Sequence, residues 1–266
     1  MVSLWGLPAS GPPHGAADGR FRPSPSFSLR LGMSEEMTIR VNFSRPMPIF
    51  PLSGVVLLPQ QVLPLHIFEE RYRQMTRIAL DSAGQIAMAV MKPGAESDDP
   101  TLPPIMPAVC VGQIEQHESR PDGTYNVLLR GVCRAKVLEE FRPDGERLYR
   151  EAMLQPLGVE STPGEPAERL RSWIEDVLGD GPLSHLTVAE HVRELVANDE
   201  MPTGAVLELV SFAVLSDASI RYRLLSEGDA DTRASILRGG LEDLGEMIER
   251  ALLQRPDEWP KGCSWN

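Results

Sequence analysis

Residues Met47-Pro-Ile-Phe-Pro-Leu-Ser-Gly-Val-Val-Leu-Leu-Pro-Gln-Gln-Val-Leu-Pro-Leu-His66 run into Ile67-Phe-Glu-Glu-Arg-Tyr-Arg-Gln-Met-Thr-Arg-Ile-Ala-Leu80. The reading of this stretch decides the reading of the chain. Its first part is apolar but broken by Pro48, Pro51, Pro59 and Pro64. Proline lacks the N–H a helix needs and clashes with the turn before it, so short extended pieces joined by kinks are expected over 47–66. The period then changes. Phe68, Tyr72, Met75 and Ile78/Ala79 recur at helical spacing with charges between them, which predicts an amphipathic helix buried on that face. Gln85–Met91 reads as a buried strand.

Downstream, Ala108 to Leu157 reads as a β-meander. Arg120-Pro-Asp-Gly123 and Arg142-Pro-Asp-Gly145 are two copies of one turn signal. Proline presets φ, aspartate caps the turn and glycine accepts a positive φ. Tyr125, Val127 and Leu129 alternate with Asn126, Leu128 and Arg130, and Cys133, Ala135 and Val137 with Arg134 and Lys136. That period of two belongs to half-buried strands.

Gly158-Val-Glu-Ser-Thr-Pro-Gly-Glu-Pro166 reads as a linker, and helices follow it. Ala167–Leu178 carries Leu170, Trp173, Ile174 and Val177. Thr187-Val-Ala-Glu190 is a capping-box pattern, expected to open a helix that runs through Val196. Thr203–Leu215 is apolar almost all round and predicts the buried centre of a bundle. Ala218–Leu225 is a short helix, and Arg233–Leu253 a long one with Ile236/Leu237, Leu241, Leu244, Ile248 and Leu252 as its stripe. Gly239-Gly240 inside it predicts a kink or a close helix contact. The fold class expected from the pattern is α+β, as a small barrel or strongly bent sheet with one helix, followed by a helical bundle. The divisions are 1–45, an extension; 46–157, the strand-rich part; 158–166, the linker; 167–254, the helices; and 255–266, a tail. Residues 1–33 are rich in Pro, Gly and Ser and lack an apolar face, as a disordered extension would be, or a start that belongs at Met33 or Met37.

The net charge of −12 argues against a phosphate-backbone partner, which needs clustered positive charge. No run of about 18 apolar residues predicts a membrane span. Cys110, Cys133 and Cys263 have neither disulfide nor zinc spacing, and suit a reducing cytoplasm. Walker, GxSxG and HExxH patterns do not occur. The histidines are His14, His66, His117, His185 and His191; His66 reads as a core or rim residue. A Ser–Lys dyad needs a buried lysine, and Lys92, Lys136 and Lys261 all read as exposed. Asp98-Asp99 and Glu139-Glu140 read as solvated surface. No catalytic, metal or cofactor residue is expected.

The residues already quoted carry a resemblance to a known family. Pro48-Ile-Phe-Pro-Leu-Ser-Gly-Val-Val-Leu-Leu-Pro59, Leu63-Pro-Leu-His-Ile-Phe-Glu-Glu-Arg-Tyr-Arg-Gln-Met75, Val111-Gly-Gln-Ile114, Pro121-Asp-Gly123 and Leu129-Arg-Gly-Val-Cys-Arg-Ala-Lys-Val137 resemble the Lon N-terminal, or substrate-binding, domain. The helices match more loosely, chiefly at Leu224-Leu225, and coverage is about residues 46–253. The resemblance implies a PUA-like β-barrel followed by a helical bundle, in a free-standing form without the AAA+ ATPase and Ser–Lys peptidase that follow this region in full-length Lon proteases. Two places depart from the pattern: Gln60-Gln61 where relatives commonly carry glycines, and Arg221-Tyr222 where free-standing relatives often carry Lys-Gln.

The implied function is non-catalytic binding of unfolded or damaged polypeptide, as an adaptor or holdase in cytoplasmic quality control, with a protease or chaperone as partner. An apolar groove between barrel and bundle is the expected site. Phe50, Leu65, Phe68 and Tyr72 carry the family pattern, and their spacing marks them as core, so no binding residue is named. The alternative is the nucleic-acid or small-ligand binding found on PUA-like folds.

Overall fold

The computed structural model describes residues 39–95, 102–158 and 161–253. Most of the extension, the tail and Asp98-Asp99 lie outside these residues. Strands β1 (Met47–Leu52) and β2 (Val62–Ile67) are the extended pieces the prolines predict. Strand β1 accommodates its prolines because Pro48 and Pro51 each lie in one ladder only. Met47 and Pro48 pair with the last strand of the sheet, and Ile49–Leu52 with the third.

Helix α1 (Glu70–Leu80) follows, and Tyr72, Met75, Thr76 and Ala79 form its buried face. Phe68 and Ile78 do not belong to that face. The helix starts at Glu70, so Phe68 precedes its first turn and is 38% exposed. Ile78 is a residue round from Ala79 and is 41% exposed.

Strands β3 (Gln85–Met91), β4 (Ile105–Ser119), β5 (Tyr125–Phe141) and β6 (Glu151–Pro156) follow, with β4–β5–β6 antiparallel as the meander predicts. Both turn signals work as expected. Gly123 and Gly145 hold positive φ, and the carboxylates of Asp122 and Asp144 accept from the backbone N–H of Thr124 and Arg147 at 3.0 and 2.9 Å.

The six-stranded sheet runs β2-β5-β4-β3-β1-β6, and β5 also pairs with β6. Strands β1, β3, β4, β5 and β6 thus form a ring of pairings, parallel only between β1 and β3. Val132 is an extra residue on β5: Val111 faces Cys133 but Gly112 faces Gly131. Such a bulge turns the strand over. Ahead of it, Val127 and Leu129 join the large core; beyond it, Cys133, Ala135 and Val137 face a second cluster.

That second cluster is the inside of the ring. It holds Ile49, Ala87, Ala89, Val109, Val111, Ala135, Ala152 and Leu154, with residues from every ring strand and from no helix. Alanine supplies four of its members, at Ala87, Ala89, Ala135 and Ala152. Val41 and Phe43 close one part of it, so contacts reach ahead of residue 46. The ring's outward side chains, among them Phe50, Met88 and Cys110, pack on α1 and on the helical half.

Helices α2 (Glu165–Gly179), α3 (Ala189–Val196), α4 (Thr203–Val214), α5 (Ala218–Ser226) and α6 (Ala230–Leu253) make up that half. The Thr187 capping box does not form. After a 3-10 turn at Pro182–His185, a turn in which the Ala189 N–H donates to Leu186 O carries Thr187 and Val188, so Val188 takes the N-cap place without a side-chain bond. Helix α4 is not enclosed all round either. Val206, Leu207 and Val210 are buried, but Phe212 is 36% exposed, because α2, α3 and α6 pack on one side only. Helix α6 runs on through its glycines. A Cβ on Gly240 would lie 3.1 Å from Leu215 Cδ2, so the close contact is there, while Gly239 faces open space.

Candidate functional site

At the junction of the two halves, beside the apolar core they share, lies a buried polar cluster. Arg134, beyond the β5 bulge, is only 6% exposed. Its Nε donates to Leu224 O at 2.9 Å and its Nη2 to Glu208 Oε2 at 2.7 Å. Arg233 approaches the same carboxylate at 3.6 Å and donates to Gly228 O at 2.7 Å. Burial, with Arg134's charge beside it, draws the Arg233 guanidinium below its ordinary pKa. The Ala108 N–H donates to Tyr222 Oη at 2.9 Å. The cavity left among these groups is about 20 Å³, room for a single water. Among the described residues, this cavity is too small to be the expected apolar groove for polypeptide. Strand β5 brings a buried charge to the boundary, and that charge draws polar partners around it.

Two of the hollows among the described residues are open to solvent. One, of about 290 Å³, lies between α2, the 3-10 turn and α6, with Trp173, Val177, Pro182, Leu183 and Leu241 among its lining and Glu242, Glu246 and Glu249 beside them. Arg238 lies over the Trp173 ring at 4.8 Å and pairs with Glu242. The other, of about 350 Å³, is lined by Arg73, Gln74 and Arg77 of α1, by Gly123 and Tyr125, and by Leu148. Gln74 shapes it by accepting from Leu148 N and donating to Glu146 O, both at 2.7 Å.

On the outer side of β2, His66 Nδ1 lies 2.8 Å from Asn126 Oδ1, and Asn126 Nδ2 donates to Glu118 Oε2 at 3.0 Å. The Glu118 carboxylate accepts, so the Asn126 amide presents its oxygen to His66, and Nδ1 carries the imidazole proton. The His66 ring stacks on Phe68 with centroids 5.9 Å apart.

A family model described as the ATP-dependent protease La (LON) substrate-binding domain matches residues 46–241, across both halves. The chain belongs to this family. Curated relatives of this Lon substrate-binding domain include the Lon protease of Heliobacterium modesticaldum, 26% identical over 217 residues, 82% of this chain and 26% of that one. The Lon protease of Escherichia coli is 32% identical over 90 residues, 34% of this chain and 11% of that one. The chain thus spans about a quarter or less of these relatives. Among solved structures, the Lon N-terminal domain protein of Xanthomonas campestris matches with a TM-score of 0.50 at 20% identity, covering 73% of this chain and 98% of that one. The N-terminal domain of the Mycobacterium avium complex Lon protease matches with a TM-score of 0.56 at 18% identity, covering 75% and 99%. These two share the fold.

Within the Lon-type fold, Phe50, Leu65 and Tyr72 are core, as their spacing predicts, while Phe68 is surface. The departures have local structural roles. Gln60 holds φ 69°, the left-handed region glycine favours, and the Gln61 side chain accepts from Leu58 N at 3.0 Å. Arg221 donates to Phe212 O at 2.9 Å and lies over the Phe212 ring, closing the end of α4, while Tyr222 ties α5 to β4. Lys92, Lys136, His185 and His191 are exposed, and Glu140 pairs with Arg150 at 2.9 Å. Burial pushes the Cys133 thiol up to about 11 and Cys110 further. Sequence reading missed Arg134 and Glu208, whose only signal was the lone arginine between Cys133 and Ala135.

Proposed function

We propose that this protein is a non-catalytic polypeptide-binding module. It holds segments of unfolded or damaged protein, as an adaptor or holdase in cytoplasmic protein quality control. We read its ring of strands as a PUA-like small barrel and its helices as the C-terminal bundle of that arrangement. The observation that carries the reading is the substrate-binding family match over residues 46–241. Two further features support it. The open hollow beside Trp173 has an apolar floor of the kind that takes apolar side chains from a flexible chain. The described lysines, Lys92 and Lys136, are solvated, which does not suit the desolvated amine of a Ser–Lys dyad.

The test uses fluorescein-labelled α-lactalbumin, native or reduced and carboxymethylated. The full chain should bind the unfolded form and leave the native form free, without cleaving either. Equal affinity for both forms, or ATP-stimulated cleavage, would overturn the proposal. So would binding a 20-nucleotide RNA more tightly than the unfolded protein, with the steep salt dependence of phosphate contacts.

A further inference from the structure

Strand β2 ends the sheet. It pairs with Tyr125–Arg130 of β5 on one side, and among the described residues no strand or backbone hydrogen bond meets its other side. The phase of its ladder is fixed by Gly131, whose N–H donates to Gln61 O at 2.8 Å. Gln61 and Gly131 continue the register in which Val62 faces Arg130 and Leu63 faces Leu129. Bonded and non-bonded pairs alternate along an antiparallel ladder. Leu63, Leu65 and Ile67 therefore bond to β5, and Val62, Pro64 and His66 turn their backbone groups away from it. Val62 and His66 each present an N–H and a C=O, and Pro64 a C=O alone.

We infer that this edge of β2 is a docking strand for extended polypeptide. An unfolded segment adds to the sheet beside Val62–His66 and is held by its backbone. The inference rests on the polypeptide-binding reading above and gives that reading a location. An extended chain carries the same donors and acceptors at the same two-residue repeat, about 7 Å, so it matches the whole row. Across this outer side Arg130 is paired with Glu115, and the Glu118 carboxylate, held by a hydrogen bond from the Asn126 amide, keeps its charge. Recognition here selects unpaired backbone rather than a charge pattern, as a binder of many different unfolded chains requires. Phe68, exposed and stacked on His66, adds an apolar contact at the end of the edge.

Pro64 decides between a client and a second copy. Edge strands use proline to resist pairing with themselves. Two copies related by a two-fold at Pro64 would set proline against proline, with no hydrogen bond between them. A client with any other residue there donates its N–H to the Pro64 carbonyl.

The test combines a protein variant with a modified ligand. Val62→Pro removes an outward N–H and leaves the bonds to β5 untouched, while Val62→Thr keeps that N–H. The probes are unfolded α-lactalbumin and a labelled ten-residue peptide of alternating Thr and Val with lysine ends. A second peptide carries N-methyl groups on two adjacent central residues, which block both of its edges. Val62→Pro should melt with the parent and bind both unmodified probes about tenfold more weakly, the scale of one lost hydrogen bond plus the obstruction beside it. Val62→Thr should bind as the parent does. The methylated peptide should lose a similar factor on the unaltered protein, a comparison that decides the matter even if Val62→Pro does not fold. Undiminished binding of the methylated peptide, while unfolded α-lactalbumin still binds, would overturn the edge site and leave the polypeptide-binding function standing. A dimer of the parent that Val62→Pro dissociates would also overturn it, by making a second copy the occupant. Failure of unfolded α-lactalbumin to bind the parent at all would overturn both proposals.

Discussion

At the scale of single residues, the turn before β2 shows how two neighbours divide a steric problem. Gly131 passes so close to the Leu58 carbonyl that a Cβ would lie 2.1 Å from its oxygen. Across the same turn, Gln60 occupies left-handed space with an ordinary side chain. A non-glycine residue there costs about 1 kcal/mol. Gly131→Ala should therefore destabilise the protein by about 3 kcal/mol, at the high end for overpacking a site that cannot move aside. Gln60→Gly should leave stability unchanged or raise it by up to about 1 kcal/mol, since relief of strain competes with added freedom in the unfolded chain. Urea midpoints of the two variants check both signs. The departure at Gln60-Gln61 from the pattern the chain otherwise resembles marks this spot in the sequence. Arg134 gave no such warning. Its burial depends on Glu208, 74 residues away, and a period of two cannot report a partner on another element.

At the scale of elements, the turns and helix starts are held by carboxylates. Hydrogen bonds from Thr124, Arg147, Ser219 and Thr232 keep Asp122, Asp144, Asp217 and Asp229 below the usual aspartate range. A folded-state pKa below the unfolded one gives stability that is present above the unfolded value. That stability is lost as the pH falls through the folded value. The urea midpoint should thus hold steady down to about pH 4, the ordinary aspartate value, and decline below it. Asp217→Asn, which still caps α5, should show a shallower decline. Element type was largely legible: the prolines, the PDG turns and the helical stripes marked β1, β2, α1, β4–β6 and the helices. Exposure was not. Phe68 and Phe212 read as buried because apolar spacing says which side chains share a face, while the packing of other elements decides whether that face is covered. The Thr187 cap failed for a related reason, since a turn from Leu186 to Ala189 holds Thr187 and Val188 where the helix would have opened.

At the scale of the whole molecule, the two halves share one large core in which Met88 and Cys110 join a cluster that includes Leu224 and Leu225. We propose that residues 46–157 and 167–254 are units that depend on each other. Expressed alone, 46–157 should be less stable than the intact chain by about 2 kcal/mol or more, the cost of exposing one large apolar side chain. Equal urea midpoints for fragment and whole would show that the strand-rich unit is autonomous. No helix among the described residues is long and apolar enough to cross a membrane. The candidate site was the least legible level of all. An open sheet edge is a property of which strands are neighbours, and β2 reads in sequence like any other buried strand. The ring carries a different consequence, one for synthesis. Met47 pairs with Ala152, so β1 leaves the ribosome about a hundred residues before the strand that closes the ring behind it. At about 5–20 residues per second, that is on the order of ten seconds in which nascent β1 lacks its last neighbour. For that interval nascent β1 exposes the backbone groups that β6 later takes up.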